Sequence, residues 1–121
     1  MKQVLFSVAT VVVLVLASCS KDVDEVLNPI DNCDKEAVSF QQDILQIFNT
    51  NCNACHSAAS NFGGITLDNY DDAKKVVDGA RLLGAINRDE GFSAMPQGAS
   101  KLSDCSIDKV AAWIADGAPN N

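Results

Sequence analysis

The stretch that most constrains this chain is Cys52-Asn53-Ala54-Cys55-His56. Two thiols three positions apart fall on one side of a helical turn, and an imidazole follows at once. The chain has five cysteines and one histidine, so this short stretch holds all of its imidazole chemistry. Several chemistries use a C-x-x-C pair. A thioredoxin-like redox pair needs a strand before it and a helix after it, and no strand-like run precedes Cys52. A zinc site needs two further ligands, and within the body of the chain only the isolated Cys33 and Cys105 are left to supply them. A plain Cys52–Cys55 disulfide needs nothing more, but it leaves His56 without a role.

The full pattern, C-x-x-C-H, is the attachment signature of a c-type haem. Each thiol bonds covalently to one of the two vinyl groups of a porphyrin. The next residue turns its imidazole to the iron and cannot drift, because its neighbours are tethered to the same ring. Cys52, Cys55 and His56 are therefore the first candidate cofactor residues, for one covalent haem c.

At 121 residues the chain has room for one small domain. Its formal net charge of −7 disfavours nucleic acid and anionic lipid as partners. No internal repeat or phosphate-binding glycine loop is present, and a single His rules out paired-His chemistry.

Residues 1–18 read as a targeting segment rather than fold. Met1-Lys2 is a short positive start, Val4–Leu16 is apolar except for Ser7 and Thr10, and Leu16-Ala17-Ser18-Cys19 follows. The apolar run is too short for a membrane span. This pattern resembles the signal and lipobox of bacterial lipoproteins. The resemblance implies cleavage before Cys19, which becomes the acylated first residue. Ordinary cleavage nearby, with Cys19 lost or idle, is the competing reading. Residues 20–32 are acid-rich and without clear period, so 19–32 reads as a lipid-anchored tether, reaching about 45 Å when extended.

The domain itself is assigned to 33–121. Ser39 with Gln42 makes a capping-box pattern, and Phe40, Ile44, Leu45, Ile47 and Phe48 fall at helical spacing. A helix from about residue 40 therefore delivers the Cys52–His56 stretch at its end. Residues 57–69 read as loop, with Gly63-Gly64 allowing close backbone approach to a bound ring or serving as a plain turn. Asn69 caps a second helix with Gly79 past its end and Tyr70, Ala73, Val76 and Val77 inward. A short segment from Arg81 to about Asn87 buries Leu82, Leu83 and Ile86. A long loop over 88–102 carries Met95-Pro96. Ser103 caps a last helix over about 104–116, with Ile107, Val110, Ala111 and Ile114 as its stripe, Trp113 at the border, and Gly117 and Pro119 as stops.

These residues resemble the single-haem class I cytochromes c over about 39–117. The resemblance rests on a helix ending in Cys-Asn-Ala-Cys-His, a Gly-Gly-Ile-Thr-Leu segment, a late Met-Pro pair and a terminal helix with Trp113. It implies an all-α fold, a small helical domain wrapped around one covalent haem c, with the first and last helices crossing. The chain departs from the family in one place. Many members carry a Pro shortly after the His, whereas Ser57-Ala58-Ala59-Ser60 follows here, so the partner of the His56 imidazole is not given by the sequence.

A second axial ligand follows by exclusion. With one His, bis-His ligation within the chain is impossible, and Met1 leaves with the signal. Met95 is the remaining thioether, in a polar loop where gap-filling packing is its alternative role. Cys33 and Cys105 are left over. In an oxidising envelope two such cysteines pair, the alternative being two free buried thiols.

The functional expectation is an electron carrier, not an enzyme: one His56/Met95-ligated haem c cycling between Fe(III) and Fe(II). It is expected as a monomer, anchored by lipid to the bacterial cell envelope outside the cytoplasm, and serving redox protein partners. Two readings compete: a five-coordinate haem c protein that binds a gas or peroxide, and a structural lipoprotein whose motif never receives haem.

Overall fold

The computed structural model describes residues 33–121; the expected signal segment, Cys19 and the whole 19–32 tether lie outside them. The described residues are helical, with no strand among them. A π-helical turn, Phe40–Ile44, runs into α1, Leu45–Asn51. The others are α2 (Asn53–His56), a 3-10 turn (Phe62–Gly64), α3 (Tyr70–Asp78), α4 (Leu82–Asn87) and α5 (Asp104–Ala115). None is long and apolar enough to cross a membrane.

The first helical turn shows how a chain satisfies the four N–H groups that a helix start leaves without intrahelical partners. Phe40 N–H donates to the Asn121 side-chain oxygen at 2.8 Å, and Gln41 N–H to the Asn121 backbone oxygen at 3.1 Å. Gln42 N–H donates to Ser39 Oγ at 3.3 Å, and Asp43 N–H makes the first intrahelical bond, to the Ser39 carbonyl at 3.0 Å. The reciprocal half of the capping box is Asp43, not Gln42: its carboxylate accepts the Ser39 N–H at 3.0 Å. The wider π turn accounts for the displacement. Ile44 N–H also reaches back to the Ser39 carbonyl, at 3.1 Å, so the turn holds one more residue before it closes.

Phe40, Ile44 and Phe48 repeat at four-residue spacing and are all buried, as are Ile107, Val110 and Trp113 of α5. These two stripes form the centre of the core. Trp113 lies fully inside it rather than at the border of its stripe, while Ala111 and Ile114 are half-buried. Its indole N–H donates to the Pro119 carbonyl at 2.9 Å, which satisfies the one polar atom that burial would strand. The Phe40 ring packs at 5.5 Å from Trp113 and edge-on at 5.2 Å from Tyr70. Tyr70 brings α3 in as well, its hydroxyl donating to the Ala118 carbonyl at 2.8 Å.

α3 starts as its sequence indicates, with the Asn69 side chain accepting the Asp72 N–H at 3.0 Å. Its end differs. Gly79 has φ −76°, and the left-handed residue is Ala80, at φ 52°. In α4 Leu82 and Ile86 are buried, while Leu83 is half-buried. Cys33 and Cys105 are joined by a disulfide across a separation of 72 residues, so the segment before the first helix is fastened to the first turn of α5.

Candidate haem site

α1 stops at Asn51 because Cys52 leaves the helical region, at φ −123°. The chain restarts in α2, where Cys55 and His56 donate their N–H groups to the Cys52 carbonyl at 3.0 and 2.9 Å. The break sets the two thiols apart in exposure: Cys52 is half-buried, Cys55 exposed, and both are free. Burial pushes the Cys52 thiol up to about 11. A thiol-redox centre needs the opposite, a readily formed thiolate.

Cys52, Cys55, His56 and Met95 line one cavity of about 580 Å³, a volume in the range of small-molecule and cofactor pockets. Ile65, Leu67, Leu82, Ile86 and Leu102 give it apolar walls. The Leu67 N–H donates to the His56 carbonyl at 2.7 Å, and the Asp68 carboxylate accepts the Ala58 N–H at 2.7 Å. These bonds fold the loop after the histidine back over it, without the proline that many relatives of this pattern carry. Gly63, at φ 65°, lies on the cavity wall, so the glycine pair falls where close backbone approach is useful. His56 Nδ1 is buried with no hydrogen-bond partner.

Met95 reaches the cavity from the 88–102 loop. Its N–H donates to the Ala85 carbonyl of α4 at 3.0 Å, and the Met95–Pro96 peptide is cis. Sequence reasoning missed two aromatic residues of the same cavity, Phe62 and Phe92. Both lie in polar, glycine-containing stretches with no helical period, so periodicity gave no signal. Arg81, at the start of α4, also lines it.

The site residues fit a covalently held haem: paired thiols, an imidazole beside them, a thioether on the same cavity, and apolar walls for the macrocycle. They do not fit zinc. Cys33 and Cys105 are bonded to each other, and the described residues contain no cluster of three or more His, Cys, Asp or Glu side chains able to hold a metal ion.

The family model described as cytochrome C oxidase, cbb3-type, subunit III matches residues 41–114, from the first helical turn to the end of α5. The chain belongs to this cytochrome c family. The cytochrome is also similar to cytochrome c6 of Picosynechococcus sp., at 39% identity over 84 residues, which cover 63% of this chain and 72% of that protein. No solved structure matches it. It is accordingly an electron-transfer protein with covalently bound haem c, a carrier and not an enzyme. The family and the relative both point to a location outside the cytoplasm.

Proposed function

We propose that the cytochrome is a single-haem relay in which Cys52 and Cys55 hold the ring, His56 is one axial ligand of the iron and Met95 the other. The observation that carries this reading is that all four side chains line the same cavity. Haem c supplies one iron that takes up an electron as Fe(III) and gives it back as Fe(II); the chain provides ligands and exclusion of water. With both His56 and Met95 bound to it, the iron would have no position left for a substrate. A thioether favours the reduced iron relative to a second imidazole and so raises the potential.

Exclusion among the remaining donors supports Met95. Among the described residues no lysine lines the cavity, and Lys74, Lys75 and Lys109 pair with Asp78, Asp72 and Asp43. A lysine would also have to lose a proton to ligate, unfavourable near neutral pH for an ordinary pKa of about 10.4.

The finer placement belongs to the same proposal. Residues 1–18 act as a lipoprotein signal, Cys19 carries the lipid, and the acidic stretch to residue 32 tethers a 33–121 domain to the envelope. The Cys33–Cys105 disulfide accords with an oxidising compartment. The cytochrome acts as a monomer and exchanges electrons with protein partners.

The deciding experiment is a reduced-minus-oxidised spectrum with a pyridine haemochrome assay, plus the mass of the polypeptide from a haem-maturing host. One added haem is expected, lost in Cys52→Ala/Cys55→Ala. An unmodified mass would overturn the assignment and favour a structural lipoprotein.

A further inference from the structure

Glycine in a helix interior costs about 1 kcal/mol relative to alanine. Gly84 nevertheless sits in the middle of the six-residue α4, and it is buried. What buries it is the ring of Phe92. A methyl group at Gly84 would lie 2.6 Å from Phe92 Cγ, Cδ2 and Cε2, far inside contact distance. The ring therefore lies flat on the bare helix backbone, where only glycine leaves room. Phe92 is still 43% exposed, so this contact is not deep core packing.

The contact is one of a set that holds the 88–102 loop together and binds it to α4. The Gly84 carbonyl accepts the Asp89 N–H at 2.9 Å, and the Phe92 N–H donates to the Asp89 carbonyl at 3.2 Å. Three residues beyond Phe92, the Met95 N–H donates to the Ala85 carbonyl at 3.0 Å. Farther along, Arg88 Nη2 donates to the Ala99 carbonyl at 2.6 Å. Adjacent residues of α4, Gly84 and Ala85, thus hold the Phe92 ring and the Met95 backbone.

We propose that Gly84 and Phe92 are positioning residues for Met95: the ring seated on the glycine backbone sets the loop so that the thioether is presented to the cavity. Restoring ordinary contact to an alanine at position 84 requires the ring to retreat by about 1 Å. Cγ is the near end of the side chain, so the ring cannot retreat by bending at its tip. Either the loop backbone moves, or the side chain swings away from α4. Both remove the seat three residues from Met95. This inference rests on Met95 as a ligand of the iron.

The test compares wild type, Met95→Ala, Gly84→Ala, Phe92→Ala and Gly84→Ala/Phe92→Ala, each as haem-loaded protein. The readouts are the far-red sulfur-to-iron charge-transfer band, carbon monoxide binding, the reduction potential and haem stoichiometry by mass. Gly84→Ala should keep its haem, lose most of the band, bind carbon monoxide more like Met95→Ala, and have a lowered potential. Phe92→Ala should move the same readouts the same way. The double variant should match Phe92→Ala instead of adding a second loss, because the two residues act through one contact.

An unchanged band and potential in Gly84→Ala would overturn the inference while leaving Met95 as ligand. So would a Gly84→Ala effect that persists undiminished in the Phe92→Ala background. If Gly84→Ala yields no holoprotein, Phe92→Ala decides alone, since it introduces no clash: wild-type band and potential there overturn the inference. A wild type without the band, indistinguishable from Met95→Ala, removes the ligand reading itself and this inference with it.

Discussion

Lys109 of α5 donates to Asp43 Oδ1 at 2.7 Å while Asp43 Oδ2 accepts the Ser39 N–H at 3.0 Å. One carboxylate thus closes the start of the first helix and ties it to the last. Both charged side chains are about a quarter exposed, so solvent screens the pair only partly.

The first prediction concerns acid stability. The Lys109 hydrogen bond, then that from Ser39 N–H, hold the Asp43 carboxyl below its ordinary range. A carboxyl depressed in the folded state contributes stability fully above its unfolded pKa, about 3.9, and loses it as pH falls through the folded value. Asp43→Asn should therefore cost about 1 kcal/mol at neutral pH, and the difference from wild type should shrink toward low pH. Denaturant unfolding at pH 7 and below pH 4 checks this. A constant difference across that range would assign the effect to packing.

Reduction of the Cys33–Cys105 disulfide should lower the melting temperature without removing the haem colour. Its closed loop of 72 residues corresponds to about 4 kcal/mol in the chain-entropy model. Thermal melts with and without reductant, followed at the Soret band and by circular dichroism, measure it. Two reactive thiols in denatured, unreduced protein would mean that no bond forms.

Met95→Ala should leave haem attached but open the iron to carbon monoxide, lower the reduction potential and abolish the far-red charge-transfer band. Carbon monoxide binding equal in wild type and variant, with no band in either, would make Met95 a packing residue and favour the five-coordinate gas- or peroxide-binding alternative.

If Cys19 carries the lipid as proposed, Cys19→Ser should move the cytochrome from the membrane fraction to the soluble fraction, because the variant loses its anchor. Retention in the membrane fraction would refute the lipobox reading.

The Cys52–His56 stretch pointed to haem c before any fold was known, because covalent attachment depends on local spacing that a short segment carries in full. The helices were legible for a related reason. The spacing of Phe40, Ile44 and Phe48 and the Asn69 and Ser103 caps are properties of adjacent turns. What the sequence could not supply was which side chain meets which partner. Asn121 completes the start of the first helix, Asp43 takes the capping role that spacing assigned to Gln42, and Trp113 sits at the centre of the core because the Pro119 carbonyl satisfies its indole N–H. The cavity has the same origin. Cys52 and His56 share it with Met95, which comes from the 88–102 loop and is hydrogen-bonded to α4, and the ring of Phe92 on Gly84 has no counterpart in any local pattern. Periodicity and caps report what a residue does to its own turn. Which turns face one another depends on burying apolar surface and pairing polar groups across the whole domain at once, and only the tertiary structure decides that.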